Sequence, residues 1–306
     1  MAPEERGVRK VKARAKQGSN PRKYIHPGLP GPRILDLVDI FLFLADARIP
    51  GTSVRLAGPF LTRSKRLYVL AKPDLADRRV TSGWIRWFAG RGIPALAVDC
   101  RTGDGIDGLV GYLRQRKEEL DRKRPDGTTA RPLRLMLFGP PNVGKSSLAN
   151  RLLGTQKAPF GARPGLTRGS HWLRGRGFLE VLDTPGVVET AQVKGEARSK
   201  LAAVWALGDN AYDAGDLAMW LVRKIRGADA PEGVEQEAAL AFLEEFGRQR
   251  GFLRQGGVVD LDRTCKAYIH AFREGQLGRF SLEEPPEDVS KDKAITQQKG
   301  DQQDRG

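Results

Sequence analysis

Cysteine is almost missing: Cys100 and Cys265 are the two in 306 residues. Two are too few for a disulfide framework, and without spaced His/Cys partners they form no zinc-ligand pattern. A reducing cytoplasm is the expected setting. Long apolar runs are missing too. None approaches the ~20 residues that span a bilayer, so no membrane partner is expected. The N-terminal "MAPEERGVRKVKARAKQ" lacks the apolar core of a secretory signal, and Glu4 and Glu5 argue against an organellar transit peptide. Negative charge is in short supply: 37 acidic residues face 52 basic ones, for a net charge of +15. That surplus points to a polyanion, nucleic acid or an anionic surface, against the plain alternative of a solvated basic exterior.

What is present divides the chain. Residues 1–32 are basic, then rich in Gly and Pro, and read as an arm. "DIFLFLADAR" (39–48), "RLYVLA" (66–71), "PALAVD" (94–99) and "LRLMLF" (133–138) are continuous apolar runs, as buried parallel strands require. Helical patterns lie between the runs, at 80–90 and 105–123, so the expected class is α/β, a mostly parallel sheet with helices on both faces. "RKRPDGTTARP" (122–132) is a connector, and "SHWLRGRG" with "FLEVLD" a hairpin. From about residue 194 every segment, including "ARSKLAAVWALG", has helical periodicity, which predicts an all-α C-terminal domain. The polar stretch from Glu283 onward reads as disordered. The expected divisions are an arm at 1–32, an α/β domain at 33–192, a helical domain at 193–283 and a tail at 284–306.

Residues 139–146, "GPPNVGKS", fit the phosphate-binding pattern G-x-x-x-x-G-K-[ST]. The strand "LRLMLF" precedes it and the helical "SSLANRLLG" follows, which is the context the pattern needs. Asn142, Val143, Gly144 and Ser147 complete a loop whose N–H groups turn toward phosphate at a helix N-terminus. Lys145 is placed to reach the β- and γ-phosphates, and Ser146 to hold Mg²⁺. Downstream, "DTPG" (183–186) ends a strand. Asp183 there is a candidate for the outer Mg²⁺ shell and Gly186 a candidate N–H donor to the γ-phosphate. "RPGLTRG" (163–169) supplies Thr167, a candidate Mg²⁺-completing switch residue.

"AKPDLAD" (71–77) follows a strand as a base-recognition loop does, yet precedes the phosphate loop. Asp74 can accept from N1 and N2 of guanine while the Lys72 stem covers the base. Ala71 stands where such loops carry Asn, so the amide contact and its tie to the phosphate loop are expected to be missing. A second, looser base loop falls at "VDCRTGDG" (98–105), with Cys100 a candidate neighbour of the nucleotide and more readily a small buried residue than a reactive thiol. The order is base loop, second base loop, phosphate loop, two switches. A sheet tolerates that order when its old ends lie close together, and residues 122–132 would join them.

Together "LADARIPGTS", "AKPDLAD", "GPPNVGKSSLANRLLG", "PGLTRG", "DTPGV" and "GGVVDLDRTCKAYIHAFREGQLGRFSLE" (256–283) resemble the circularly permuted YlqF/YawG GTPases over residues 33–283. The resemblance implies a permuted GTPase domain and an RNA-binding helical domain. It implies GTP/GDP and Mg²⁺ as cofactors, and late assembly of the large ribosomal subunit through rRNA, not DNA. Asn142 matches the asparagine that accompanies potassium activation in related GTPases, which makes it the K⁺ candidate. Val187 fits the apolar residue the family has after its second switch. The family's N-terminal Pro-Gly-His-Met phrase is missing, and "IHPG" at His26 has another order. His171 and His270 read as strand and helix residues. "DARIP" leaves two readings of Asp46 and Arg48 open: a structural pair at a strand end, or support for the switches or RNA. Two rivals remain: a basic RNA-binding module whose nucleotide domain hydrolyses weakly, and a P-loop ATPase.

Overall fold

The computed structural model describes residues 32–56, 65–125, 131–154, 171–174, 177–183, 190, 192–226 and 232–287. Among the described residues six strands form one sheet: β1 (Ile40–Asp46), β2 (Arg66–Ala71), β3 (Ala95–Val98), β4 (Leu133–Phe138), β5 (His171–Arg174) and β6 (Leu179–Asp183). Their spatial order is β3-β2-β1-β4-β6-β5. Every pairing is parallel except β5 with β6, the expected hairpin.

Side-chain alternation explains why β1 is apolar at nearly every position. Ile40, Leu42 and Leu44 enter one core with Leu109 and Leu113 of α4 (Ile106–Arg122) and Leu148, Leu152 and Leu153 of α5 (Lys145–Leu153). Phe41, Phe43 and Ala45 enter the opposite core with Val80, Trp84 and Phe88 of α3 (Arg78–Ala89). A strand buried on both faces needs apolar residues at both parities. Leu42, Phe43 and Leu44 are fully buried, each contributing about 1.5–3 kcal/mol of transfer free energy. Asp77 caps α3 by accepting from Val80 N–H at 2.9 Å.

Short helices α1 (Pro32–Leu35) and α2 (Pro50–Arg55) flank β1. The chain then runs from α4 to β4 through residues 123–132, of which 126–130 lie outside the described residues. Beyond β6 lie α6 (Glu196–Ala203), α7 (Ala214–Arg226), α8 (Glu232–Gln249) and α9 (Leu261–Arg273). Leu201, Leu217, Leu221, Leu243, Tyr268 and Ile269 from this bundle share a core with Ile49. Ile49 of "DARIP" thereby stitches the sheet domain to the bundle.

Two expectations are corrected. The periodicity of "ARSKLAAVWALG" suggests a helix through Gly208, but α6 stops at Ala203 because Trp205 takes a left-handed φ of 69°. Disorder does not set in at Glu283, since residues 280–287 form a strap across the sheet domain. Phe280 N–H donates to Leu75 O at 3.1 Å and Leu282 N–H to Arg48 O at 2.9 Å. Glu283 accepts from Thr52 N–H at 2.8 Å and Thr52 Oγ1 at 2.7 Å, and its own carbonyl accepts from Trp84 Nε1. The segment's charge hides this packing, because the carboxylate finds buried donors. Residues 288–306 lie outside the described residues.

Candidate nucleotide site

The carboxyl ends of β1, β2, β3 and β4 lie side by side, the edge at which open α/β sheets bind ligands. β4 ends in Phe138, and Gly139 turns the chain at φ 150°. A Cβ there would meet Leu44 O at 2.3 Å, so this glycine is required by packing against β1. Gly144 caps α5 with φ 108°. Between them the loop lines a cleft of 520 Å³ with Lys72, Asn142, Gly144, Lys145, Ser146, Ser147 and Trp205.

Lys145 Nζ donates to the carbonyls of Gly139 (3.0 Å) and Pro140 (2.7 Å). Burial pushes its ammonium down to about 8. A buried cation turned onto its own loop suits a polyanionic ligand, whose charge would restore what desolvation removes. With helix α5 opening at that lysine and a serine hydroxyl beside it, the chemistry fits a nucleotide polyphosphate with a hard, oxygen-seeking cation. Val143 is buried in the core, so only its backbone is available to a ligand.

The early loop reaches this place. Lys72 Nζ donates to Asn142 O at 2.8 Å, which joins "AKPD" to "GPPNVGKS" across 70 residues of chain. The tie expected to be missing with Ala71 is therefore made by its neighbour. Burial lowers the Lys72 ammonium, and the Asp46 carboxylate 4.0 Å away opposes that. Asp74 pairs with Arg101 at 3.3 Å.

The second base loop is held from α5. Arg151 donates to Cys100 O (3.0 Å) and Arg101 O (2.7 Å). Asp99 accepts from Arg101 N–H (2.7 Å) and Thr102 Oγ1 (2.9 Å), so it shapes the turn. Cys100 packs on the α4–α5 core. Burial, with the Asp99 carboxylate beside it, pushes its thiol up to about 11.

Other candidates are not tested by this geometry. Thr167, Gly186, Val187 and His26 lie outside the described residues, and so does the Asp183 side chain, although its backbone ends β6 as expected. His171 and His270 sit in β5 and α9.

One feature carried no sequence signal, and a second was one of two readings left open. Trp205 comes from the helical bundle, yet it lines the cleft and accepts from Asn142 Nδ2 at 2.8 Å. Arg48 and Asp46 form a fully buried pair, with Nε to Oδ1 and Nη2 to Oδ2 both at 2.9 Å. Arg48 also reaches Phe272 O of α9 at 3.4 Å. The structural reading of that pair therefore holds, and it extends to the bundle.

Known proteins share this arrangement. The 50S ribosome-binding GTPase family matches residues 134–250. Ribosome biogenesis GTPase A of Priestia megaterium (strain DSM 319 / IMG 1521) is 34% identical over 264 residues, covering 83% of this chain and 91% of that protein. Its namesake from Thermotoga maritima (strain ATCC 43589 / DSM 3109 / JCM 10099 / NBRC 100826 / MSB8) is 28% identical over 257 residues, covering 84% and 90%. The solved GDP-bound structure of TM YlqF overlays with a TM-score of 0.61 at 25% identity, covering 83% of this chain and 97% of that one. With a base loop that precedes the phosphate loop yet bonds to it, and with likeness running nearly the full length of these relatives, the chain belongs to the ribosome biogenesis GTPase A family of circularly permuted GTPases.

Proposed function

We propose that this chain hydrolyses GTP to GDP and phosphate in the cleft above β4 and uses that cycle as a switch in late assembly of the large ribosomal subunit. The Lys72–Asn142 bond carries the reading, because it brings a guanine-selecting loop onto a phosphate loop. Asp74 selects guanine through the N1 and N2 donors. Lys72, Asn142, Val143, Gly144, Ser147 and Cys100 frame the nucleotide. Lys145 leaves the Gly139 and Pro140 carbonyls for the β- and γ-phosphates. Ser146, Thr167 and Asp183 are the residues for Mg²⁺, which neutralises developing phosphate charge when bound. Gly186 donates to the γ-phosphate, and Asn142 supplies a K⁺ site that adds positive charge there.

The helical domain and the basic arm meet rRNA by backbone and shape, in keeping with the +15 charge. Intrinsic turnover is slow and rises on the ribosomal particle, since Val187 cannot orient water. Among the described residues no helix is long and apolar enough to cross a membrane, in keeping with action in the cytoplasm.

The test is GTP hydrolysis with and without purified large-subunit precursors, in KCl and in NaCl. Particle-stimulated turnover that is faster in K⁺ and lost in Lys145→Ala supports the reading. Equal rates in both salts remove the K⁺ assignment. RNA binding without turnover above the Lys145→Ala background favours the rival, a nucleotide-binding RNA module, to which Ala71 and the missing histidine of the Pro-Gly-His-Met phrase point.

A further inference from the structure

Among the described residues, three that are not glycine hold left-handed backbone: Lys72 (φ 58°), Asn142 (φ 57°) and Trp205 (φ 69°). All three line the same cleft. For asparagine that conformation is ordinary, but for a bulky aromatic it is an outlier that the surroundings must enforce. Trp205 stands just past α6, where helices usually end on glycine. The turn closes with Trp205 N–H on Ala202 O (3.2 Å) and Ala206 N–H on Leu201 O (2.9 Å). Glycine would make that turn with less strain, so the indole is not there for the turn.

Its surroundings show what the indole touches. The Arg273 guanidinium sits 5.0 Å from the ring centroid, and the His270 ring meets it edge-on at 5.9 Å. Both belong to α9. Arg273 is itself buried and fixed, donating to Ala202 O (2.7 Å) and Tyr212 OH (2.8 Å). The backbone carbonyl of Trp205 meanwhile holds the Asn142 amide. One residue thus touches the phosphate loop with its main chain and α9 with its side chain.

We propose that Trp205 is a positioning residue of the nucleotide site supplied by the helical domain, tying the phosphate loop through Asn142 to α9 through Arg273 and His270. The proposal rests on the nucleotide reading of the cleft. A ligand that moves Asn142 must then move α9, and by reciprocity a partner gripping α9 alters the nucleotide site. None of the residues on this route belongs to the two candidate switch segments.

The experiment is amide hydrogen exchange of the full chain with and without saturating GDP, with binding confirmed by calorimetry. It is done for wild type, Asn142→Ala and Trp205→Gly. In wild type, exchange across α9 should change on GDP binding by about fivefold or more, the lower edge of ordinary coupling between sites. In both variants, read at their own saturation, α9 should no longer respond. Trp205→Gly preserves the left-handed turn, so loss of the response there cannot be assigned to a broken α6 end. Arg48 also reaches α9, independently of Asn142. A response that persists in both variants means coupling runs by that path, and overturns the proposal. Wild type that binds GDP with α9 unmoved overturns it as well. Wild type that does not bind GDP overturns the nucleotide reading and the proposal together.

Discussion

At the residue scale, the Asp46–Arg48 pair is the most exacting element of the site's support. Burial alone would raise the Asp46 carboxyl, but the Arg48 guanidinium beside it holds it below the usual carboxylate range. Removing one partner leaves a buried charge alone, at a cost of about 3–5 kcal/mol. Arg48→Met should therefore lower the unfolding free energy by that amount in a denaturant titration. The sign with pH follows. A carboxyl whose folded pKa lies below its unfolded value contributes stability that is present above about pH 4 and lost as pH falls through the folded value. The wild-type advantage over Asp46→Asn should shrink in acid; an advantage that grows on acidification contradicts the pair's role. The pair itself was one of the two readings of "DARIP", but its reach to Phe272 O of α9 was not legible, because the sequence shows only neighbours. Trp205 was hidden for the same reason: no glycine marks the left-handed turn. Lys145, Ser146 and Gly144 were legible, because their chemistry is local to one strand–loop–helix.

Elements sort by the same rule. β1, β2, β3 and β4 were readable because burial on both faces makes a strand apolar at every position. The amphipathic helices of the bundle were readable from their periodicity. The strap at 280–287 was not, since its glutamates and prolines have the composition of a free tail. Physically it clamps the base loop: Phe280 N–H holds Leu75 O, and Ser281 Oγ accepts from Asp77 N–H at 3.3 Å. Leu282 is buried in the bundle core. Two hydrogen bonds at about 1 kcal/mol each predict that ending the chain after residue 279 weakens guanine-nucleotide affinity by up to about thirtyfold. Calorimetric titration with GDP measures this. Unchanged affinity in a folded truncation means the base loop needs no clamp.

For the whole molecule, the proposed role and the +15 charge together predict that particle binding is a salt-dependent equilibrium. Each phosphate neutralised adds about 0.7–0.9 to the slope of log affinity against log salt. Deleting the arm with Arg6, Arg9, Lys10, Lys12, Arg14, Lys16, Arg22 and Lys23 should flatten that slope by several units. A slope unchanged by the deletion contradicts the arm's part in the proposed RNA contact.

The permuted chain order delivers the base loop before the phosphate loop and leaves them to meet in space, as Lys72 and Asn142 do. That meeting is tested most directly at Asp74, whose carboxylate should accept from both guanine donors. Asn at that position offers one donor and one acceptor, which suits xanthine. Titration of wild type and Asp74→Asn with GTP and xanthosine triphosphate is the measurement. Wild type should prefer GTP and the variant should reverse that preference, losing about 3–4 kcal/mol toward GTP, on the order of 10²–10³-fold. An Asp74→Asn protein that binds GTP as wild type does contradicts the account, because the early loop would then not read the base.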